Sequence, residues 1–369
     1  MELVVRKNDL LRELQLFQGI VERKNTIPIL ANVLIEAKGQ EVKFLATDLE
    51  VALRSACTAT VETGGSVTLP AKKLYEIIKS LPETDVRIAE DKGGVKVAAD
   101  RFDSRMQTLP REDFPTLPES SGAQVTTISR AGLREMVAKT QFAITGEDTR
   151  FFLNGALFVL KPDSMSLVAT DGHRLALVTV ARTGAAGESE EIKAILPKKT
   201  LGELARLLSD GDEDIRYERG ENHLFFRVGG RLLISRMIDG QFPAYERVIP
   251  KGNDKHLDFE RDRLANAVKR VALLSSERSR AVKFQIAKGK VDVTSSSPEL
   301  GEAHETLVTD YAGAPMQISF NAQYVLDFLT AVPTDVVSLE LKDEVSQAVM
   351  HPVGAEGYEY TYVIMPMRV

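Results

Sequence analysis

The chain has no tryptophan, a single cysteine and only five histidines in 369 residues. With Cys57 alone there is no disulfide framework and no thiolate zinc site. No two histidines stand at HxH or HxxxH spacing, so a metal centre is not expected and no cofactor is implied. No apolar run approaches the ~20 residues that cross a bilayer. The opening stretch MELVVRKNDLLREL is charged from its second residue and has neither the apolar segment nor the cleavage site of a signal peptide. A cytoplasmic chain with no membrane partner is the expectation. Positive charge is in deficit too, with 47 Lys+Arg against 53 Asp+Glu and a net charge of −6. At first sight that argues against nucleic acid, because phosphate binding needs basic surface.

What is present is repetition. Residues 29–48, ILANVLIEAKGQEVKFLATD, and 153–171, LNGALFVLKPDSMSLVATD, are both apolar-alternating runs broken by a polar turn and closed by Ala-Thr-Asp. VTLPAKKLYEII (67–78) recurs as AILPKKTLGELA (194–205), and EDFPTLP (112–118) as GQFPAYE (240–246). The common offset is about 125 residues, an ordinary domain length. The last third repeats the plan more faintly. LANAVKRVALLSSERSRAVKFQIAKGKVDVTSSS (264–297) has SSS where the others have ATD, and MQISFNAQYVLDFLTAV (316–332) matches the helix-bearing half. Three units follow, 1–122, 123–252 and 253–369, joined by linkers rich in Pro, Gly, Ser and charge near 115–124 and 249–256. Apolar periodicity predicts helices over 7–24, 71–80, 129–141, 197–208, 260–278 and 321–331, with short strands between them, including 151–160 and 174–180. The fold class is α+β: three repeated domains, each with two helices packed on antiparallel sheets.

The charge is unevenly placed. The six predicted helices are net basic and the rest of the chain is acidic. Solvated helix faces commonly carry Lys and Arg, which is the plain reading. The other is that the helices share a surface turned to a polyanion, on a protein whose acidic remainder repels other nucleic acid; such a chain slides on DNA rather than reading its sequence. Six helices per chain become twelve in a twofold dimer. At about 10 Å each they close a circle of roughly 38 Å through their axes and leave a hole of roughly 28 Å, wide enough for a duplex.

These features accompany residues specific enough for a family. TIPILANVLI (26–35), ATDLE (46–50), TLPAKKL (68–74), FPTL (114–117), LNG (153–155), ATDGHRLA (169–176), DGQFPAYERVIP (239–250), AQYVLDFL (322–329) and the terminal VIMPMRV (363–369) make the whole chain resemble the bacterial sliding clamps, the beta subunits of DNA polymerase III. The resemblance implies half of a homodimeric ring, with no catalysis of its own, that encircles double-stranded DNA without sequence preference. It also implies short peptide motifs as the route by which the replicative polymerase, the clamp loader, repair polymerases and mismatch-repair proteins dock. A paralogue specialised for repair or drug resistance carries the same signature.

The segment Thr170-Asp171-Gly172-His173-Arg174 is where readings diverge. Asp171 orienting His173 as a base would suit a duplicated hydrolase, yet the equivalent TDLEVAL has neither His nor Arg and no GxSxG nucleophile motif occurs. A tight turn, with Asp171 bonding backbone amides, is the plain alternative. The resemblance implies instead one wall of a peptide pocket, lined by Leu153, Thr170, Gly172, His173, Arg174, Leu175, Pro243, Arg247, Val248, Val363 and Met365, with Arg and His at its rim. A neighbouring sub-site would use Asn321, Tyr324, Val345, Pro366, Met367 and Arg368. Met, Leu, Val and Pro make an adaptable apolar groove; read alone, VIMPMRV is a buried edge strand that Pro366 ends. By the same resemblance Lys24, Lys72, Phe152, Lys198 and Lys199 face DNA. Phe151 and Phe152 stand where some clamps have tyrosines, without the hydroxyls. Ring closure would pair the edge at Ser104, Met106 and Thr108 with Leu273 and Leu274 of the partner. Glu-Leu-Gln-Leu-Phe at 13–17 looks like a peptide that clamp partners insert, but Leu14 and Phe17 fall on the core stripe of the first predicted helix.

Overall fold

The computed structural model describes residues 1–21, 26–122, 125–146, 148–183 and 191–368. Lys24 is therefore outside the described residues. Among the described residues there are six α-helices: α1 (Lys7–Phe17), α2 (Ala71–Ser80), α3 (Arg130–Thr140), α4 (Lys198–Leu207), α5 (Arg261–Ala272) and α6 (Ala322–Ala331). By contacts the chain divides into two compact units, Met1–Arg134 with Lys199–Met237, and Glu135–Lys198 with Ile238–Val369.

In the first unit an eight-stranded antiparallel sheet runs, from edge to edge, Gly65–Pro70, Asn32–Lys38, Glu41–Thr47, Val51–Thr58, Arg231–Arg236, His223–Val228, Ile215–Arg219 and Val125–Ile128. In the second unit the same order recurs as Ile192–Pro197, Gly155–Leu160, Ser164–Thr170, Arg174–Ala181, Glu359–Ile364, Ala348–Pro352, Val336–Leu341 and Lys255–Glu260. The repeat read in the sequence is thus a repeat of register. Leu34 faces Leu45 in one sheet as Leu157 faces Val168 in the other. At the middle of each, strands from different repeats meet, Ala52 opposite Ile234 and Leu175 opposite Val363. Each unit adds a smaller sheet. One is Thr60–Thr63, Glu2–Arg6, Asp85–Asp91, Gly94–Ala99 and Phe102–Met106; the other is Gly301–Val308, Lys290–Ser297, Ala281–Ala287 and Met316–Asn321.

Alternation explains the two faces of each sheet. In the first unit Val33, Ile35, Phe44 and Leu53 point to one side and are almost fully buried. Leu34, Leu45 and Ala52 point to the other, where Ile29, Leu30, Phe114 and Leu117 cover them. In the second unit Leu157, Val168 and Leu175 are covered in the same way by Phe242, with Tyr245 and Ile249 packed against the cluster. The Phe-Pro segments that repeat in the sequence are these covers.

The helices supply the inner packing: Leu10, Leu14 and Phe17 of α1 and Leu74 and Ile78 of α2 have no exposed surface. Leu14 and Phe17 are therefore core residues and not a displayed peptide. A recurring contact ties the helix pairs. Lys7, at the start of α1, donates to the carbonyl of Leu81 just after α2. Arg130, at the start of α3, donates to Leu207 O at the end of α4 (2.8 Å), and Arg261, at the start of α5, to Val332 O after α6 (2.9 Å). Each cation meets carbonyls that a helix C-terminus leaves without partners, at the negative end of its dipole.

Four sequence expectations are corrected. The first helix stops at Phe17 rather than residue 24, and chain turns through Gln18–Ile20 follow. A Cβ on Gly19 would fall 1.6 Å from the Arg206 guanidinium, so a side chain there would have to displace the flexible Arg206 and Glu203 heads packed on that turn. The fifth ends at Ala272 rather than 278, where the Ser275 hydroxyl takes the Ala272 carbonyl and competes with further helix. Residues Phe151–Leu153 form a 3-10 turn instead of starting a strand, and Glu359–Ile364 is interior to its sheet rather than an edge.

Candidate functional site

The Thr-Asp pair ending each third strand builds the same turn twice. Asp171 Oδ1 accepts from the amides of His173 (2.9 Å) and Arg174 (3.0 Å), and Thr170 Oγ1 accepts from Gly172 N (3.1 Å). In the first unit Asp48 Oδ1 accepts from Glu50 N and Val51 N, and Thr47 Oγ1 from Leu49 N. The residue at the tip has positive φ in both, Gly172 at 87° and Leu49 at 78°. In the third repeat Ser297 Oγ accepts from Glu299 N, a weaker version of the device.

Asp171 does not orient His173. Its second oxygen takes Arg174 Nε (3.0 Å), while the His173 ring is exposed and stacks on Tyr324, centroids 6.5 Å apart. Arg174, expected at the rim, is instead 9% exposed and fully engaged. Its guanidinium donates to Asp171, to Asp327 of α6 and to Phe142 O (2.8 Å), and lies 4.3 Å over the Tyr324 ring. Burial alone would lower its pKa; Tyr362, Asp327 and Asp171 outweigh that and hold it above the ordinary arginine value. The buried arginine fixes the turn, the α6 face and the strand carrying Tyr362 against one another.

Beside this turn is a groove of about 190 Å³ lined by Leu153, Thr170, Gly172, His173, Arg174, Leu175, Pro243, Val248, Val363 and Met365, together with Arg150 and Tyr245. Leu153, Leu175 and Val363 are buried floor, whereas Val248 and Met365 are 38% and 37% exposed. Arg247, expected in the lining, is in the adjoining 3-10 turn Tyr245–Arg247 and does not line the groove. Arg150 and Tyr245 escaped the sequence reading. Each neighbours a repeated motif, LNG and FPAYE, without being part of its invariant letters in the two copies. The exposed cation of the groove is Arg150, whose Nη2 is 2.8 Å from Asp148; hydrogen bonds from Arg150 hold that carboxyl down at about 2. This arrangement accepts apolar side chains with a charged rim and holds no nucleophile–base pair. Cys57, partly buried elsewhere, has its thiol pushed up to about 12 by burial.

Three of the sub-site residues, Pro366, Met367 and Arg368, are the chain's last described residues. Met365 N donates to His173 O (2.9 Å), the chain turns through Pro366, and Met367 N donates to Ser319 O (2.7 Å). Asn321 caps α6 by accepting from Gln323 N, Tyr324 sits against His173 and Arg174, and exposed Val345 is on a turn held by Asp343. Arg368 is exposed.

The residues expected to face DNA are differently committed. Lys198 Nζ donates to Ile144 O (3.2 Å); Lys199 pairs with Asp48 and donates to Ile20 O (3.1 Å). Phe152 packs on the core cluster, whereas Phe151 is 57% exposed. Lys72 is half-buried. Helices α2, α3, α4 and α5 each carry more basic than acidic residues, α1 is balanced and α6 is acidic. At the small-sheet edges, Ser104 Oγ donates to Val97 O, Met106 is buried, Thr108 Oγ1 donates to Thr68 O, Leu273 is 75% exposed and Leu274 is half-buried.

Comparison with known proteins places these features. Family models described as the N-terminal, central and C-terminal domains of the DNA polymerase III beta subunit match residues 1–118, 127–244 and 246–368. The chain is 38% identical to a beta sliding clamp of Pseudomonas putida and 35% identical to that of Escherichia coli, covering all of both chains in each case. A crystal structure of the DNA polymerase III subunit beta from Pseudomonas aeruginosa superposes with a TM-score of 0.93 at 36% identity, again over both full chains.

Proposed function

This chain belongs to the DNA polymerase III beta subunit family, the beta sliding clamps, and from that premise we propose how its parts perform the clamp's task. It is a sliding clamp, a non-catalytic processivity subunit that keeps a DNA polymerase on its template. Family membership carries that statement, and cytoplasmic residence goes with replication in a bacterium. The domain limits we assign are 1–122, 123–252 and 253–369; the first two enclose the matches to 1–118 and 127–244, and the third match, 246–368, begins seven residues before our last limit.

Two chains close into a ring around duplex DNA through their two small sheets. Phe102–Met106 and Gly301–Val308 are sheet edges without a neighbour strand, and Phe102, Leu273, Leu300 and Val308 near them are exposed apolar residues at 40%, 75%, 52% and 76%. Open edges of this kind pair readily. Joined, they would make a nine-stranded sheet in which the eight strands from Glu2–Arg6 to Met316–Asn321 repeat the order of the sheet that each unit already contains, with Thr60–Thr63 added at one edge. Transferring the register in which Ala52 faces Ile234 sets Glu302 opposite the partner's Arg105 and His304 opposite the partner's Asp103. Basic α2 to α5 supply cations that meet phosphate, Lys72 of α2 among them, Lys24, which follows α1 in the sequence, adds to them, and exposed Phe151 takes the DNA-facing place expected of Phe152. The apolar groove at Gly172–Leu175 takes short peptides from the replicative polymerase, the clamp loader, repair polymerases and mismatch-repair proteins. Sub-site residues Asn321, Tyr324, Val345, Pro366, Met367 and Arg368 extend it.

Retention on DNA tests this reading. Protein loaded on nicked circular plasmid should co-elute with it through gel filtration and be lost once the plasmid is linearised. Equal retention on both forms would mean ordinary electrostatic binding and end the ring reading.

A further inference from the structure

The sheet face that is covered in the first two repeats is open in the third. Leu34, Leu45 and Ala52 in the first repeat, and Leu157, Val168 and Leu175 in the second, sit under Phe-Pro segments of the chain itself. Matching cross-strand partners puts Lys283, Thr294 and Glu302 at those positions in the third. No Phe-Pro dipeptide occurs after residue 252. Polar residues have replaced the apolar ones, and the face forms a groove of about 610 Å³ with Ser279, Ser296 and Ser319 also lining it. Among the described residues Lys283 has no ion-pair partner, and the hydroxyls of Thr294 and Ser296 make no hydrogen bond. The lining holds one carboxylate, Glu302, but it is two strands from Lys283 and opposite Ser296, so the Lys283 end, between Thr294 and Ser319, is the part suited to a carboxylate.

The C-terminal residues link this face to the apolar groove. Met365 lines the groove, and two residues on Met367 is bonded to Ser319, whose strand neighbour across the sheet is Lys283. Two residues and one strand spacing come to at most about 12 Å, within the reach of three or four further peptide residues.

We propose that this polar sheet face is an extension of the peptide site, receiving the acidic, polar flank of a partner peptide whose apolar residues fill the groove. A segment of the chain itself lies over the equivalent face twice; here the segment comes from the partner, and polar lining lets it leave. The proposal rests on the groove being a peptide site, and the test separates the two. Fluorescence anisotropy on the full-length protein compares a labelled Glu-Leu-Gln-Leu-Phe peptide with versions carrying Ser-Asp-Ser-Asp before or after it, and with Ser-Asn-Ser-Asn controls. One acidic flank should tighten binding five- to tenfold over its amide control, and Lys283→Gln and Lys283→Glu should each remove that gain while the core peptide's affinity is read on the same variants. No gain from either flank, or a gain that survives Lys283→Glu, overturns the extension and leaves the groove standing. Failure of the core peptide to bind at all overturns the groove reading and the extension with it.

Discussion

Leu49 and Gly172 occupy the tip of one turn in two copies, and only glycine takes φ near 80° without strain. Leu49 is 52% exposed, so its side chain repays little of that strain. Leu49→Gly should raise stability by about 1 kcal/mol, read as an upward shift in thermal unfolding; a loss of that size would show that the leucine packs on something. Glu13 offers a second test. Burial pushes its carboxyl up, but hydrogen bonds and charge from Arg231 (2.8 and 3.0 Å), with Arg12, leave it below its ordinary value. The unfolded chain then binds the proton more readily than the folded one, so the contribution is complete above about pH 4.3 and fades as pH falls through the lower folded value. Chemical denaturation between pH 3 and 7 should show a shallower acid limb for Glu13→Gln than for the parent; parallel limbs would refute the assignment. At this scale the Asp turns were legible, because Thr-Asp at a strand end is a local signal. Arg174's burial was not, since Asp327 and Phe142 are distant in sequence.

Among the elements, the basic residue opening the first helix of each pair is the feature the repeats share most closely and the sequence reading passed over. Lys7, Arg130 and Arg261 each reach a carbonyl at or just beyond the far end of the second helix. Replacing Arg261 by Met should cost about 1–2 kcal/mol in urea unfolding, from the lost charged hydrogen bond and the helix-end interaction. An unchanged midpoint would mean that water satisfies the carbonyl equally well. Helix α2 matched its expected limits because three apolar positions at helical spacing follow Pro70. Helices α1 and α5 were read too long, as periodicity continues past the point where serine hydroxyls or close packing end them.

For the whole molecule, the ring proposed above turns on one contact between chains. Arg105, which pairs with Asp91 within its own chain, is 57% exposed at the side chain and remains free to turn to a second carboxylate. Arg105→Glu should shift sedimentation from a dimer toward a monomer by placing it against the partner's Glu302, and adding Glu302→Arg should restore the dimer. A dimer unaffected by Arg105→Glu, or a double variant that stays monomeric, would place the seam in another register.

The sequence by itself determined the three-fold repetition, the α+β class, the absence of a disulfide framework and the position of the Thr-Asp turns, because each follows from periodicity and local hydrogen bonding. Tertiary structure alone decided that strands of different repeats join into continuous sheets and that Arg174 is buried rather than at a rim. It also decided that Lys199 is paired with Asp48, and that the third repeat's outer sheet face stays open. Those outcomes depend on which residues distant in the chain meet, and burial and ion pairing are properties of the meeting rather than of either residue.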